Sequence, residues 1–130
     1  MTSVRALPLA LLALLPACAP TTTTAPLPPA QYRATGPAII TAIARAAPTL
    51  KAPSLRQPWR PEEASNSSIV LRAYSPLGVL GGGRSLPVEL LFNTVTSSGI
   101  TTVTYSATPA SRATVAEVFE VLDRQFQRVH

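Results

Sequence analysis

Histidine and cysteine are almost absent from this chain, with one residue of each in 130, and that scarcity removes most site chemistries before any motif is read. The only cysteine, Cys18, forbids an intrachain disulfide, so the fold must stand on packing alone. A metal centre needs several imidazole, thiolate or carboxylate ligands converging, and the only histidine, His130, stands at the C-terminus. A serine nucleophile has no internal imidazole to activate it. Lys51 is the remaining base, and no motif surrounds it. No metal and no cofactor are expected.

Charge is also sparse. Charged residues make up 13% of the chain, against about 25% in an average soluble protein. Among the six acidic residues, Glu62 or Glu63 with Glu89 is the pair that general acid–base work would use, but nothing in the spacing fixes their separation. Adjacent Glu62-Glu63 after Pro61 reads as a solvated turn. The net charge of +5 and a pI near 10.4 raise a nucleic-acid reading. The basic residues, however, are scattered singly. Aromatic residues are 5% of the chain, and Trp59, between Arg56 and Arg60, is one of the few with basic neighbours close on both sides. A groove that tracks phosphates needs clustered charge and stacking rings, so no nucleic-acid partner is expected. A weak preference for anionic surfaces, lipid head groups or wall polymers, remains.

Long apolar runs are missing too. The longest, Ala6–Leu15, is ten residues, half of the ~20 that a membrane-spanning helix needs. Preceded by Arg5, it has the charged start and short apolar core of a secretory signal. Leu15-Pro16-Ala17-Cys18 follows at once and resembles the lipobox of bacterial lipoprotein precursors: leucine three residues before cysteine, and a small residue directly before it. The resemblance covers the first eighteen residues. It implies a thioether-linked diacylglycerol on Cys18, cleavage between Ala17 and Cys18, and in many bacteria a third acyl chain on the new amino group. Two or three chains anchor firmly where one binds marginally. Cleavage after Ala19, the ordinary secretory alternative, would place the disfavoured Pro20 first. By the family's sorting rule, Ala19 rather than aspartate after the cysteine implies the outer membrane in a diderm cell. In a monoderm cell the same anchor leaves the protein on the outer face of the plasma membrane.

Residues 18–31 are lipidated cysteine and tether. From Ala19 to Ala30 the sequence is mostly Pro, Thr and Ala, which favours extended, polyproline-like conformations with nothing to bury. At ~3.1 Å per residue it reaches roughly 35–40 Å. Residues 32–130 then read as one domain.

Within it, Thr35 or Gly36 caps a first helix over 37–47, Pro37 suits its first turn and Pro48 ends it. Its stripe is Ile39, Ile40, Ile43 and Ala47. Pro48, Pro53, Pro58 and Pro61 exclude a central strand or helix over 48–66, which reads as an ordered loop. Ser68–Tyr74 alternates as a strand, with Ile69, Leu71 and Ala73 on one face. Val88–Thr96 and Ile100–Ala107 form a hairpin around Ser97-Ser98-Gly99, with Phe92 opposite Thr104 and Leu91 opposite Tyr105. One face then carries Leu91, Val95, Val103, Tyr105 and Ala107. The last helix takes Val115, Val118, Phe119, Leu122, Phe126 and Val129 on its apolar stripe. Thr114-Val115-Ala116-Glu117 matches a capping box, and Thr108-Pro109 offers an earlier start.

The expected fold is therefore α+β: a small two-layer sandwich of a three-stranded antiparallel sheet with two helices on one face, in the order α-β-β-β-α. Its other face is open or partly covered by the proline-rich loop. Gly81-Gly82-Gly83-Arg84 is followed by Pro87 and a strand rather than a helix, so it reads as a turn and not a phosphate cradle. Arg56, Trp59 and Arg60 among prolines are the candidate partner-binding residues, because Trp and Arg anchor interfaces. The competing reading has Trp59 plugging the edge of the core. Together these features lead to an expected envelope lipoprotein, non-catalytic, that binds a partner protein or an anionic envelope component. The alternative is a hydrolase acting on wall or lipid.

Overall fold

The computed structural model describes residues 27–54, 56–76 and 86–129. The leader 1–17, Cys18, most of the tether, the glycine-rich segment 78–85 and His130 lie outside the described residues. So do the phosphate-loop question at Gly81–Arg84 and the lipid attachment at Cys18.

The chain is α+β, and its sheet has six antiparallel strands rather than three. In chain order the elements are β1 (Ala30–Tyr32), α1 (Gly36–Ala46), a 3-10 turn (Ala47–Thr49), β2 (Arg60–Glu62), β3 (Ser68–Ala73), β4 (Val88–Ser97), β5 (Ile100–Ala107), a 3-10 turn (Pro109–Ser111), α2 (Arg112–Gln125) and β6 (Arg128–Val129). Across the sheet the strands run β2-β3-β4-β5-β1-β6. The central trio is the expected one. The three additions are strands of two or three residues at its flanks, too short to carry any alternation in the sequence.

Each addition corrects an expectation. Ala30 and Gln31, assigned to the tether, pair with Val103 and Thr102, and Ala30 is only 2% exposed. Tyr32 beside them is fully buried. Part of the proline-rich loop is β2, an edge strand, where Pro61 needs to donate no ladder hydrogen bond. The last helix stops at Gln125, because the backbone turns extended at Phe126 (φ −132°, ψ 153°). Val129 thus lies in β6, opposite Gln31, and not on the helical stripe.

α1 forms as its sequence requires. The Thr35 side chain accepts from the Ala38 amide at 3.2 Å, Pro37 sits in the first turn, and Ile39, Ile40, Ile43 and Ala46 are buried. Gly36 permits a close approach: a Cβ there would lie 3.0 Å from Thr94 Oγ1 and 3.3 Å from the Asn66 carbonyl oxygen. The capping box precedes α2, on the 3-10 turn that leads into it, and α2's own N-cap, Ser111, makes no side-chain capping bond. Ser111 Oγ accepts from the Thr108 amide, closing a capping box at Thr108–Ser111 rather than at Thr114–Glu117. Val115, Val118, Phe119 and Leu122 face the sheet.

The hairpin between β4 and β5 is one residue tighter than expected. Ser97 pairs with Ile100, so Phe92 lies opposite Tyr105 and Leu91 opposite Ser106. Ser98 (φ 52°) and Gly99 (φ 78°) both occupy the left-handed region, which makes a two-residue turn whose twist matches the strands. A one-residue slip exchanges faces. The core face therefore carries Leu90, Phe92 and Thr94 with Thr101 and Val103, while Leu91 and Val95 point away from it. Val95 is 66% exposed.

Both helices cover this one face. The core joins Ile39, Ile43, Leu50 and Trp59 to Ile69, Leu71, Leu90, Phe92 and Val103 of the sheet and to Val115, Val118 and Leu122 of α2. On the opposite face none of the strand residues is buried.

Candidate functional site

Register places one polar cluster on the open face. Antiparallel pairing sets Arg60 opposite Arg72 and Arg72 opposite Glu89, and the turn after β2 returns Glu62 and Glu63 to the same guanidinium. Arg72 then holds three carboxylates: Nη1 donates to Glu62 at 2.8 Å, Nη2 to Glu63 at 2.6 Å, and Nε to Glu89 at 2.6 Å. The Tyr74 hydroxyl donates to both oxygens of Glu62 at 2.9 and 3.0 Å. Arg60 lies over the Tyr74 ring, 5.6 Å from its centre. Glu63 reaches its place through a left-handed backbone (φ 49°).

The electrostatics follow. Hydrogen bonds from Arg72 and then from Tyr74 hold the Glu62 carboxyl below its ordinary range. The same contacts push the Tyr74 hydroxyl up, through its hydrogen bond to Glu62 first and burial second. A general acid needs a carboxyl raised towards neutrality, the opposite of what Glu62 has. The expected carboxylate pair, Glu62 or Glu63 with Glu89, is thus brought together, but around a cation that occupies all three. The arrangement fastens the β2 edge to β3 and β4. Lys51, the other candidate catalytic residue, gives its backbone to the structure: its amide donates to Glu117 and its carbonyl accepts from Trp59.

Because Glu62 is depressed in the folded chain, its contribution to stability is present above the ordinary carboxylate pKa and is lost as pH falls through the folded value. The midpoint of urea unfolding is expected to decline below about pH 4.5, the ordinary value. Arg72→Gln should flatten that acid limb, and an unchanged slope in the variant would show that other carboxylates cause it.

The three candidate partner-binding residues separate. Trp59 is 1% exposed, and its Nε1 donates to the Lys51 carbonyl oxygen at 3.3 Å, so it belongs to the core and offers no surface to a partner. Arg56 Nη1 donates to the Leu86 carbonyl oxygen at 2.9 Å. Arg60 joins the Tyr74 cluster. Arg72 and Tyr74 were missed from the sequence, where they read only as outward positions of a strand. Their signal was the cross-strand partnership with Glu89, which requires the register.

A second polar group ties β1 to the last turn of α2 and to β6. Tyr32 donates to Asp123 Oδ1 at 2.8 Å, Arg128 pairs with Asp123 at 3.1 Å, and burial first, then the Asp123 hydrogen bond, raises the Tyr32 hydroxyl well above its ordinary value. Among the described residues no group of three or more His, Cys, Asp or Glu is placed to hold a metal ion, and no helix is long and apolar enough to cross a membrane. One shallow hollow lies between α1 and the Ala64–Asn66 turn, lined by Pro37, Ile40, Thr41 and Arg45.

Fold and site together define an α+β domain with helices on one face of its sheet and a polar, ion-paired second face. No protein-family model, curated protein or solved structure matches the chain.

Proposed function

We propose that this protein is a bacterial envelope lipoprotein, anchored through acyl chains on Cys18, whose domain is a non-catalytic binding or assembly module. The observation that carries the anchor is Leu15-Pro16-Ala17-Cys18 directly behind a charged start and a ten-residue apolar run. Support for a binding module comes from the sheet. One face packs against the helices and the Leu50–Trp59 loop, while the other presents Leu91, Val95 and threonine rows with none of them buried. Partner surfaces of this kind need no deep cleft, whereas a hydrolase does. The commitment of Glu62, Glu63 and Glu89 to Arg72 weighs further against the hydrolase alternative.

The test is acylation. Wild-type protein expressed in a bacterium should incorporate labelled palmitate and sediment with membranes. Cys18→Ser should lose the label completely and leave the membrane fraction or accumulate unprocessed. Unchanged detergent partitioning of the variant would defeat the anchor. For the module, a photoreactive side chain at Val95 should crosslink in native membranes, and one at Glu120, exposed on the outer side of α2, should not. The reverse pattern would move the binding surface to the helices.

A further inference from the structure

Strand directions sort the exposed residues between the two ends of the sheet. One end holds the Ser98-Gly99 turn. At the other lie the start of β4, the ends of β3 and β5, and the start of β2, since Val88 pairs with Ala73, Leu90 with Ala107 and Arg60 with Arg72. The chain enters at this second end. β1 runs antiparallel to β5, and the Tyr105 hydroxyl donates to the Leu27 carbonyl oxygen at 2.8 Å.

The same end collects exposed apolar and basic side chains. Of the three large hydrophobic residues exposed among the described ones, Leu27 (39%) and Leu86 (81%) lie here, and only Val95 lies elsewhere. Each has a cation beside it. Arg56 bonds the Leu86 carbonyl, and Arg112, at the start of α2, shares a hollow with Leu27, Pro29 and Tyr105. Lys51 is exposed in the loop next to Trp59. Of the acidic groups nearby, Glu89 is engaged by Arg72, Glu117 by the Lys51 amide and Asp123 by Arg128, while exposed Glu120 shares a second hollow with Leu27 on the α2 side.

We infer that this end of the domain is a membrane-docking surface that rests on anionic phospholipid, with Leu27 and Leu86 entering the head-group layer and Arg56 and Arg112 meeting phosphates. The inference rests on the lipid-anchor reading for its geometry. Cys18 is nine residues before Leu27, which limits the span between them to about 30 Å. Tyr105 fixes the point from which that span starts, on the same end of the sheet as the leucines and arginines. Docking orients the strands along the membrane normal and holds the Ser98-Gly99 end and the open sheet face clear of the bilayer.

Two measurements test it. The acylated full chain is reconstituted in vesicles of phosphatidylcholine with phosphatidylglycerol, carrying a fluorophore on a cysteine introduced at Ser106 or at Ser97. These exposed positions stand about 20 Å apart along the hairpin. Quenching by nitroxide-labelled lipid should be several-fold stronger at Ser106, and equal quenching would overturn the docking. The second measurement uses the chain from Ala19 onward, which lacks the anchor but keeps every core residue, the first being Ala30. It should cosediment with anionic vesicles and not with phosphatidylcholine alone. Arg56→Gln and Arg112→Gln should each weaken binding about fivefold, and Leu86→Ser, at a position outside the core, should weaken it as well. Absence of vesicle binding would refute the surface even where acylation of Cys18 is found, whereas a non-acylated Cys18 would leave the vesicle result standing. Equal binding to a soluble polyanion, unaffected by Leu86→Ser, would also overturn it.

Discussion

Trp59→Ala is expected to destabilise the domain by about 3–5 kcal/mol, measured by urea unfolding followed through far-ultraviolet circular dichroism. The indole is 1% exposed and packs in the same core as Leu50, Leu71 and Val115. Removing it leaves a cavity and strips the Lys51 carbonyl of its side-chain donor. Total stabilities of small domains are about 5–15 kcal/mol, so a loss of this size leaves a fraction of the chain unfolded at 37 °C. Trp59→Phe keeps most of the volume and loses the hydrogen bond, and should fall between wild type and the alanine variant. The result separates the two sequence readings of this residue. An interface anchor would leave the unfolding midpoint in place and alter only capture of a partner; a core plug moves the midpoint.

That tryptophan illustrates where sequence reasoning reached and where it stopped. α2 was legible because Val115, Val118, Phe119 and Leu122 repeat at helical spacing, and a helix that buries such a stripe has few alternatives. α1 was legible from Thr35, Pro37 and its isoleucines. The end of α2 was not. Phe126 and Val129 continue the spacing, and only the extended backbone at Phe126 takes them out of it. The hairpin's strands were visible, yet its register was not, because threonine stands on both faces and the alternation is weak. Ser97-Ser98-Gly99 accommodates a three-residue loop, and the choice of two residues depends on Ser98 accepting a left-handed backbone. That one-residue shift sets Val103, Tyr105 and Ala107 on the face of Leu90 and Phe92 rather than on that of Leu91 and Val95. The ion-paired cluster was half legible. Glu62, Glu63 and Glu89 could be named, but the cation that unites them depends on β2 pairing with β3, and β2 is a three-residue strand containing proline.

The N-terminal strand that sequence reasoning missed, β1, makes the strongest demand on the boundary of the domain. A chain beginning at Arg33 is expected not to fold, whereas one beginning at Ala19 folds fully, although the two differ by residues that read as tether and boundary. β1 lies between β5 and β6, so deleting it removes both ladders and detaches Arg128 and Val129 from the sheet. It also removes Tyr32, whose fully buried ring packs edge-on against Phe126 at 6.5 Å and lies under Arg128. Loss of a buried aromatic side chain alone costs about 3–5 kcal/mol, and each ladder hydrogen bond adds about 1 kcal/mol. Asp123 would keep Arg128 only if β6 stayed in place, and nothing then holds it there. The sum reaches the whole stability of a small domain. Near-ultraviolet circular dichroism and amide proton dispersion decide the matter: a native spectrum from the Arg33 chain would mean that β1 is an accessory to the sheet, and a collapsed one that the domain begins inside the stretch assigned to its tether.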